Sequence, residues 1–197
     1  VTDPKAENFD ITARDRARRG PVFTLNLIEP GLSDRVNPLD LIRIGTIHEA
    51  VDADQLATLL VVPDEGGAGA HWDDMARQLI SVVLRIVVTT QPAPLRTLAK
   101  AAELVGSWEL LQDALAQAAA HGVGGAAGFL ADNPPDSLLD VRQNADKALR
   151  AYAADRPAGM ITADPTFDFR LFASEVATLY VIVAEELLPV YGRFLRL

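Results

Sequence analysis

Three short stretches of the sequence carry side chains whose types and spacing could support chemistry. Residues 71–74 read His-Trp-Asp-Asp, which sets an imidazole beside two carboxylates, a common acid–base unit. Glu185 and Glu186 follow a strongly apolar run, at the place where α/β enzymes carry active residues. Arginines at positions 14, 16, 18 and 19 form the only basic cluster and could contact phosphates.

A structural interpretation is favoured for each of these stretches. At a helix start, His71 and Trp72 would anchor the helix while the two aspartates face the positive end of its dipole. Consecutive glutamates are typical of an exposed loop. The four arginines do not form one stripe on a helix, which favours a solvated helix end. None of the three is therefore predicted to be a catalytic site.

A fourth segment, Asp3-Pro4-Lys5-Ala6-Glu7, follows the first short run of the chain. If that run is a strand, the segment places two acids and one lysine at the carboxyl edge of a sheet. In open α/β sheets this edge faces the ligand.

Motifs for catalysis on nucleotides or metals are absent from the sequence. The glycine-rich stretches 66–69 and 122–125 lack the Lys-Ser/Thr pair of a phosphate-binding loop, and we interpret them as linkers or helix breaks. No nucleophile elbow, zinc-binding HExxH or EF-hand spacing occurs. With no Cys and three scattered His, we predict no metal site, no cofactor and no enzyme activity in this chain.

The amino-acid composition excludes some further classes of function. The 197 residues include 18 Lys and Arg against 27 Asp and Glu, and the net charge of −9 argues against a surface that neutralises many phosphates, although it permits a local basic patch. Arg85 interrupts the longest apolar run, Leu79–Val88, so we expect no membrane insertion. The chain starts at Val1 without a signal peptide or an initiator Met, which indicates a piece of a longer protein.

Turn residues and hydrophobic periodicity divide the chain into three parts. Residues 1–44 are rich in turns, with a helix predicted over Ile11–Arg19 and a strand at Val22–Leu25. Residues 164–197 contain the β-branched run Val176–Val183, typical of a parallel strand buried on both faces. Both ends are therefore predicted to be parts of one α/β sheet.

Residues 45–163 have helical periodicity instead and hold just over half of the acidic side chains. A helix from Trp72 to Val88 is apolar on nearly all sides and should be central, although its valines leave a strand open. Ser107 is the predicted N-cap of one helix, and Ser137 with Asp140 has the spacing of a capping box. The other predicted helices cover 47–60, 95–105, 107–120 and the stretch after Ser137.

The fold class is thus mainly α, with a helical bundle inserted into an α/β unit of which short strand and helix segments are present. The predicted parts are 1–44 (partial α/β segment), 45–163 (all-alpha domain) and 164–197 (partial α/β segment).

The motifs at the two ends of the chain resemble the TraG-type coupling proteins of type IV secretion systems. The matching segments are Asp3–Arg14, Gly20–Val22, Leu32–Asp40, Ala154–Gly159, Phe167–Arg170, Ala177–Val183 and Pro189–Leu197. Two positions depart from the family pattern: Ala6 stands where a Gly is usual, and Ala184 where a Pro is usual.

The resemblance implies a fragment of a RecA-like ATPase, cut after the Walker A strand and before Walker B, that carries an all-alpha insertion. The intact parent would use ATP and Mg²⁺, form a hexamer and sit at the cytoplasmic face of the bacterial inner membrane, anchored outside this chain. Asp3, Pro4, Lys5 and Glu7 would lie near the nucleotide. The isolated chain would be a monomer without ATPase activity, although an unpaired strand edge would invite dimerisation.

The resemblance also implies a cargo-recognition role for the all-alpha domain in conjugative DNA transfer. The cargo would be a relaxase, a relaxosome accessory protein or a secreted effector. An acidic surface would attract a basic protein by complementary charge. The docking candidates are Asp52, Asp54, Asp64, Glu65, Asp73, Asp74, Glu109, Asp113 and Asp140.

Two alternatives stay open at this point. The domain could contact single-stranded DNA through Arg142, Lys147 and Arg150, with Trp108 or Tyr152 stacking on bases. It could also serve mainly as a structural module at the mouth of the hexamer.

Overall fold

A computed structural model describes residues 2–62 and 70–191 of the chain. Two strands, β1 (Val22–Asn26) and β2 (Thr178–Ile182), enclose most of the helices in sequence. The longer helices are α1 (Glu7–Arg16), α2 (Glu49–Leu60), α3 (Ala70–Thr90), α4 (Leu98–Gly106), α5 (Trp108–Ala120), α6 (Ala126–Asp132) and α7 (Pro135–Leu149). Three short helices follow: α8 (Pro157–Ile161), α9 (Leu171–Ser174) and α10 (Leu188–Tyr191). The structure is therefore mainly helical, as predicted.

The sheet is parallel, as the β-branched run predicts. β1 and β2 pair in register from Val22 opposite Thr178 to Asn26 opposite Ile182. Thr2 forms a parallel bridge to Val181 on the other side of β2, so β2 lies between two neighbours. The expectation that β2 is buried on both faces is wrong for the described residues: Tyr180 and Ile182 are buried, whereas the alternate residues are only half-buried because that face is partly covered.

The helical core surrounds α3. Helices α2, α4, α5, α6 and α7 all pack against it, and its Leu79, Ile80 and Val83 have no exposed surface. A helix that is apolar on nearly all sides needs such neighbours to remove its surface from water. The helical prediction for this segment is confirmed, and the strand alternative is wrong.

Helix ends follow local signals at some places and not at others. Ser107 caps α5, since its Oγ accepts a hydrogen bond from Leu110 N at 3.4 Å. The predicted capping box at Ser137 is wrong: α7 starts at Pro135, whose ring presets a helical φ, and the Ser137 hydroxyl donates to Pro134 O at 2.9 Å. Helix α1 lies earlier than predicted and ends at Arg16 rather than Arg19.

Two segments connect the sheet to the helices, and they pair with each other. Val36 N donates to Ile161 O at 2.9 Å, and Thr166 N donates to Arg35 O at the same distance. Beside this pairing, the rings of Phe23 on β1 and Phe167 stack with centroids 4.3 Å apart. Backbone hydrogen bonds between segments more than 120 residues apart in sequence therefore hold the two connections side by side.

Candidate functional site

The Asp3–Glu7 segment lies at the carboxyl edge of the sheet. Asp3 follows the Thr2 bridge directly, and its N–H donates to Val181 O at 2.9 Å. Its carboxylate turns back into the protein, where it accepts hydrogen bonds from Phe9 N at 2.8 Å and from Asn8 Nδ2 at 3.4 Å. Only 1% of Asp3 is exposed, so this acid anchors the start of α1 and does not face a ligand.

The neighbours of Asp3 differ from it in exposure. Lys5 and Glu7 are exposed, and Pro4 is half-buried. Ala6 stands between them with φ of 60°, the left-handed conformation that favours Gly. Of the four residues predicted to lie near a nucleotide, the structure leaves Lys5 and Glu7 with side chains that a ligand at this edge can reach.

Helix α1 is held on β2 by one aromatic residue. Tyr180 meets the Phe9 ring edge-on, with centroids 5.4 Å apart, and its hydroxyl shares a 2.6 Å hydrogen bond with Thr12 Oγ1. Glu185 and Glu186 follow β2 at the same edge of the sheet and are exposed, as their sequence predicts. The edge therefore presents Lys5 among three exposed carboxylates.

Several acids predicted to dock a partner are already paired within the protein. Asp52 accepts from Arg43 Nη2 at 2.7 Å and from Arg43 Nε at 2.8 Å, and these hydrogen bonds lower the pKa of Asp52 to about 2. Asp54 accepts from Ser81 Oγ at 2.5 Å, and Asp74 pairs with Arg77. Arg43 links Asp52 to the segment before α2 and Ser81 links Asp54 to α3, whereas Asp74 pairs within α3. The Asp52 side chain is only 10% exposed, so a free docking role for it is wrong, while Asp54 and Asp74 are exposed and their docking role stays a prediction.

The remaining docking candidates separate into two groups. Asp64 and Glu65 lie outside the described residues, and Asp73 is half-buried and takes part in a further interaction. Glu109 and Asp113 are exposed one turn apart on α5, and Asp140 is exposed on α7. Within residues 2–62 and 70–191, none of these last three side chains has an ion-pair partner.

The residues predicted to contact DNA do not form one open surface. Tyr152 is 1% exposed inside the helical core, so the prediction that it stacks on bases is wrong. Arg142 donates from Nη1 to the carbonyls of Val105 and Gly106 and so closes the end of α4. Arg150 pairs with Asp146 at 2.5 Å. Lys147 is exposed but takes part in an interaction, and Trp108 is half-buried.

A cleft of about 650 Å³ opens beside α4, and no prediction from the sequence included it. Its walls are mostly small side chains, among them Ala99, Ala102 and Gly106 on α4 and Ala153 and Ala154 after α7. Two internal ion pairs stand at its rim, Lys100–Glu103 at 3.0 Å and Arg150–Asp146. The spacing of Ala99, Ala102 and Gly106 on one helical face was the available signal.

Asp40, in the connection between β1 and α2, also has a shifted pKa. The pKa of Asp40 is raised, first by burial of its carboxyl and then by repulsion from Asp168, while Arg170 and the Asn37 amide oppose the shift. The Arg170 guanidinium in turn lowers the pKa of Asp168 through a hydrogen bond. Asp40 accepts a hydrogen bond from Asn37 Nδ2 at 3.2 Å and Asp168 accepts one from Arg170 Nε at 3.0 Å, so both carboxyls are held by contacts within the protein.

Among residues 2–62 and 70–191, no group of three His, Cys, Asp or Glu side chains could hold a metal ion. In the same residues, every helix is too short or too polar to cross a lipid bilayer.

Comparisons with known proteins agree with one another. A family model described as "Type IV secretory system Conjugative DNA transfer" matches residues 1–197. Two relatives from Escherichia coli, both named conjugal transfer protein TraG, are 38% and 37% identical over 86 residues, which is 43% of this chain and 14% of each relative.

A similar fold occurs in a solved structure, the bacterial conjugative coupling protein TrwBdeltaN70 in a trigonal form in complex with sulphate. The match has a TM-score of 0.67 with 13% sequence identity and covers 100% of this chain and 42% of that one. The chain therefore spans less than half of the length of the proteins it matches.

Proposed function

The chain belongs to the family of type IV secretory system conjugative DNA-transfer proteins, the TraG-type coupling proteins, and on that premise we propose that its helical part recognises protein cargo. The cargo is a relaxase, a relaxosome accessory protein or a secreted effector that presents a basic surface. One observation carries the proposal: Glu109 and Asp113 are exposed on one face of α5 with no cation of the described chain to neutralise them.

Charge explains why the α5 pair is the strongest candidate. Other acids of the helical part, such as Asp52 and Asp74, already stand beside an arginine and have little charge left to offer a partner. Glu109 and Asp113 lie one helical turn apart, so both can face one basic patch. Complementary charge of this kind mainly raises the association rate and selects the partner, and salt weakens it.

The intact parent is proposed to be a hexameric ATPase at the cytoplasmic face of the inner membrane, with the helical part inserted into a RecA-like unit. ATP and Mg²⁺ would supply the energy for translocation. The exposed Lys5 and Glu7 fit a place beside the nucleotide because they stand at the carboxyl edge of a parallel sheet. Asp3 would act there only through the turn that it holds.

The experiment measures binding of the relaxase of the same conjugative system to this chain by fluorescence anisotropy across a salt series. We expect the double variant Glu109→Gln/Asp113→Asn to bind about tenfold more weakly, with a shallower salt dependence. The matched control is Glu185→Gln/Glu186→Gln, which removes the same charge from the sheet and should leave the affinity unchanged. Equal affinity and salt dependence for both double variants and the unmodified chain would refute this docking surface.

A further inference from the structure

The outer edge of β1 is a place where a further strand could add to the described sheet. β2 pairs with β1 on one side and with Thr2 on the other, so β2 lies inside the sheet. At the two ends of β1, Pro21 O and Leu27 N bond to β2, and backbone groups alternate in direction along a strand. Thr24 and Asn26 therefore direct their N–H groups away from β2, and a row of unpaired N–H groups at such an edge attracts another strand.

Side chains from the segment after β1 occupy this edge. Thr24 N donates to Asp34 Oδ2 at 2.8 Å, and Asn26 N donates to Ser33 Oγ at 2.8 Å. Asp34 N donates in return to Thr24 O at 2.8 Å. Residues 33–36, which we call the closing segment, are not a strand, yet they give β1 the acceptors that a neighbouring strand would supply.

The closing segment is covered on its other side by the connection that leaves the helical part. Arg35 N donates to Thr166 Oγ1 at 2.9 Å, and Arg35 O accepts from Thr166 N at 2.9 Å. Val36 N donates to Ile161 O at 2.9 Å. Thr166 Oγ1 also donates to Asp34 Oδ1 at 3.2 Å and so orients the carboxylate that bonds to β1. The backbone of the closing segment therefore bonds on both sides within the protein.

We propose that the two connections of the helical part close the β1 edge against the same edge of a second copy of this chain. Thr24 is the central residue of the five in β1, so two copies related by a twofold axis would place Thr24 opposite Thr24 in an antiparallel pair. Such a pair exchanges both N–H···O bonds, and these are the groups that Asp34 now occupies. The proposal is independent of the α5 docking pair and of the cargo.

Hydrogen exchange in the unmodified chain tests the closure directly. We expect the amides of Thr24 and Asn26 to exchange about a hundredfold more slowly than the same amides in an unfolded peptide, since both are bonded within the protein. Exchange of both at the peptide rate, while the Phe23 and Leu25 amides that face β2 stay protected, would show an open edge and overturn the proposal.

Sedimentation velocity over a dilution series tests the protection against self-association. Ser33→Ala/Asp34→Ala removes both side-chain acceptors, so two N–H groups of β1 gain a partner only in a dimer, and we expect roughly tenfold tighter self-association. Adding Thr24→Pro removes the central outward N–H and should return the variant to the behaviour of the unmodified chain. Asp34→Asn keeps an acceptor oxygen and should sediment like the unmodified chain.

The matched control is Ser137→Ala/Asp140→Ala, which removes the same two types of side chain from α7 and should leave sedimentation unchanged. A Ser33→Ala/Asp34→Ala variant that keeps its circular dichroism spectrum and associates no more than this control would overturn the proposal. Association that persists after Thr24→Pro would do the same, because it would come from another surface.

Asp34→Asn separates hydrogen bonding from charge. If it associates as tightly as Ser33→Ala/Asp34→Ala, repulsion between carboxylates is what keeps the copies apart, and the proposed closure is wrong. If the double variant does not fold, hydrogen exchange in the unmodified chain and sedimentation of Asp34→Asn still decide the matter. None of these experiments involves the relaxase, so this proposal and the docking proposal can fail separately.

Discussion

Arg35 and Asp164, 129 residues apart in sequence, meet where the two connections between sheet and helices run side by side. Arg35 donates from Nη2 to Asp164 Oδ2 at 3.0 Å and from Nε to the Asp164 carbonyl at 2.9 Å. Asp164 has a φ of 47°, so its backbone is bent into the left-handed region at this contact. The arginine therefore joins the segment that enters the helical part to the one that leaves it.

The stability of this junction should depend on the aromatic stack more than on the ion pair. Phe167→Ala removes a nearly buried ring that stacks on Phe23, and we expect a loss of about 3 kcal/mol in the free energy of unfolding. Arg35→Ala breaks an exposed ion pair and should cost less than about 1 kcal/mol. Urea unfolding of both variants gives the comparison, and the reverse order would show that the ion pair is the stronger link.

Removing the Asp3 carboxylate should loosen α1. Asp3→Ala removes a carboxylate that is 1% exposed and that accepts a hydrogen bond from Phe9 N, and we expect a cost of about 1–3 kcal/mol. Urea unfolding followed by circular dichroism measures it. Glu7→Gln, at an exposed position of the same helix, is the control and should stay within about 0.5 kcal/mol of the unmodified chain. Equal effects of the two changes would contradict the anchoring role of Asp3.

Gly in place of Ala6 should stabilise the protein. Ala6 has a φ of 60°, where a Cβ costs about 1–2 kcal/mol and Gly costs nothing sterically. Because Gly also loses more entropy on folding, the expected net gain from Ala6→Gly is about 0.5–1 kcal/mol, seen as a higher melting temperature. Ala17→Gly, at a φ of −60° just beyond α1, has no strain to relieve and should destabilise. A lower melting temperature for Ala6→Gly would show that the turn tolerates Ala without strain.

The ion pair between Arg43 and Asp52 should make stability depend on pH in the acid range. Hydrogen bonds from Arg43 lower the pKa of Asp52 from 3.8 to about 2, so the folded state binds this proton more weakly than the unfolded state. The stabilisation is therefore complete above pH 3.8 and disappears as the pH falls through about 2.

Asp52→Asn tests this dependence. The difference in unfolding free energy between the variant and the unmodified chain should be present at neutral pH and shrink towards zero in strong acid. Asp155→Asn is a suitable control, since Asp155 is exposed and its ion pair with Arg156 has a long N–O distance of 3.9 Å. A difference for Asp52→Asn that does not change with pH would show that its carboxylate is not held by Arg43.

Local pattern was enough to predict most of the secondary structure. The helical periodicity of residues 72–88 and the β-branched run at 176–183 led to α3 and β2 because burial repeats with the period of the element. Helix boundaries were less certain from pattern, as at Ser137, where Pro135 starts the helix earlier. Relations to the family were visible in the motifs near both ends of the chain.

The partners of the charged side chains could not be predicted from the sequence. Nine acids looked alike as docking candidates, yet Arg43 lies against Asp52 and Ser81 against Asp54, and these partners come from other elements. Tyr152 is a second example. Its position just after α7 is compatible in the sequence with an exposed ring that stacks on bases and with a buried core side chain, and the structure buries it.

The sequence by itself determined the helical middle, the parallel strands and the family, because these depend on residue types repeated over short distances. Only the tertiary structure decided that Asp3 is buried and that Glu109 and Asp113 are exposed without an ion-pair partner among the described residues. The physical reason is that exposure and charge pairing depend on which distant elements meet. Folding brings those elements together through packing of the whole core, which no short stretch of residues specifies.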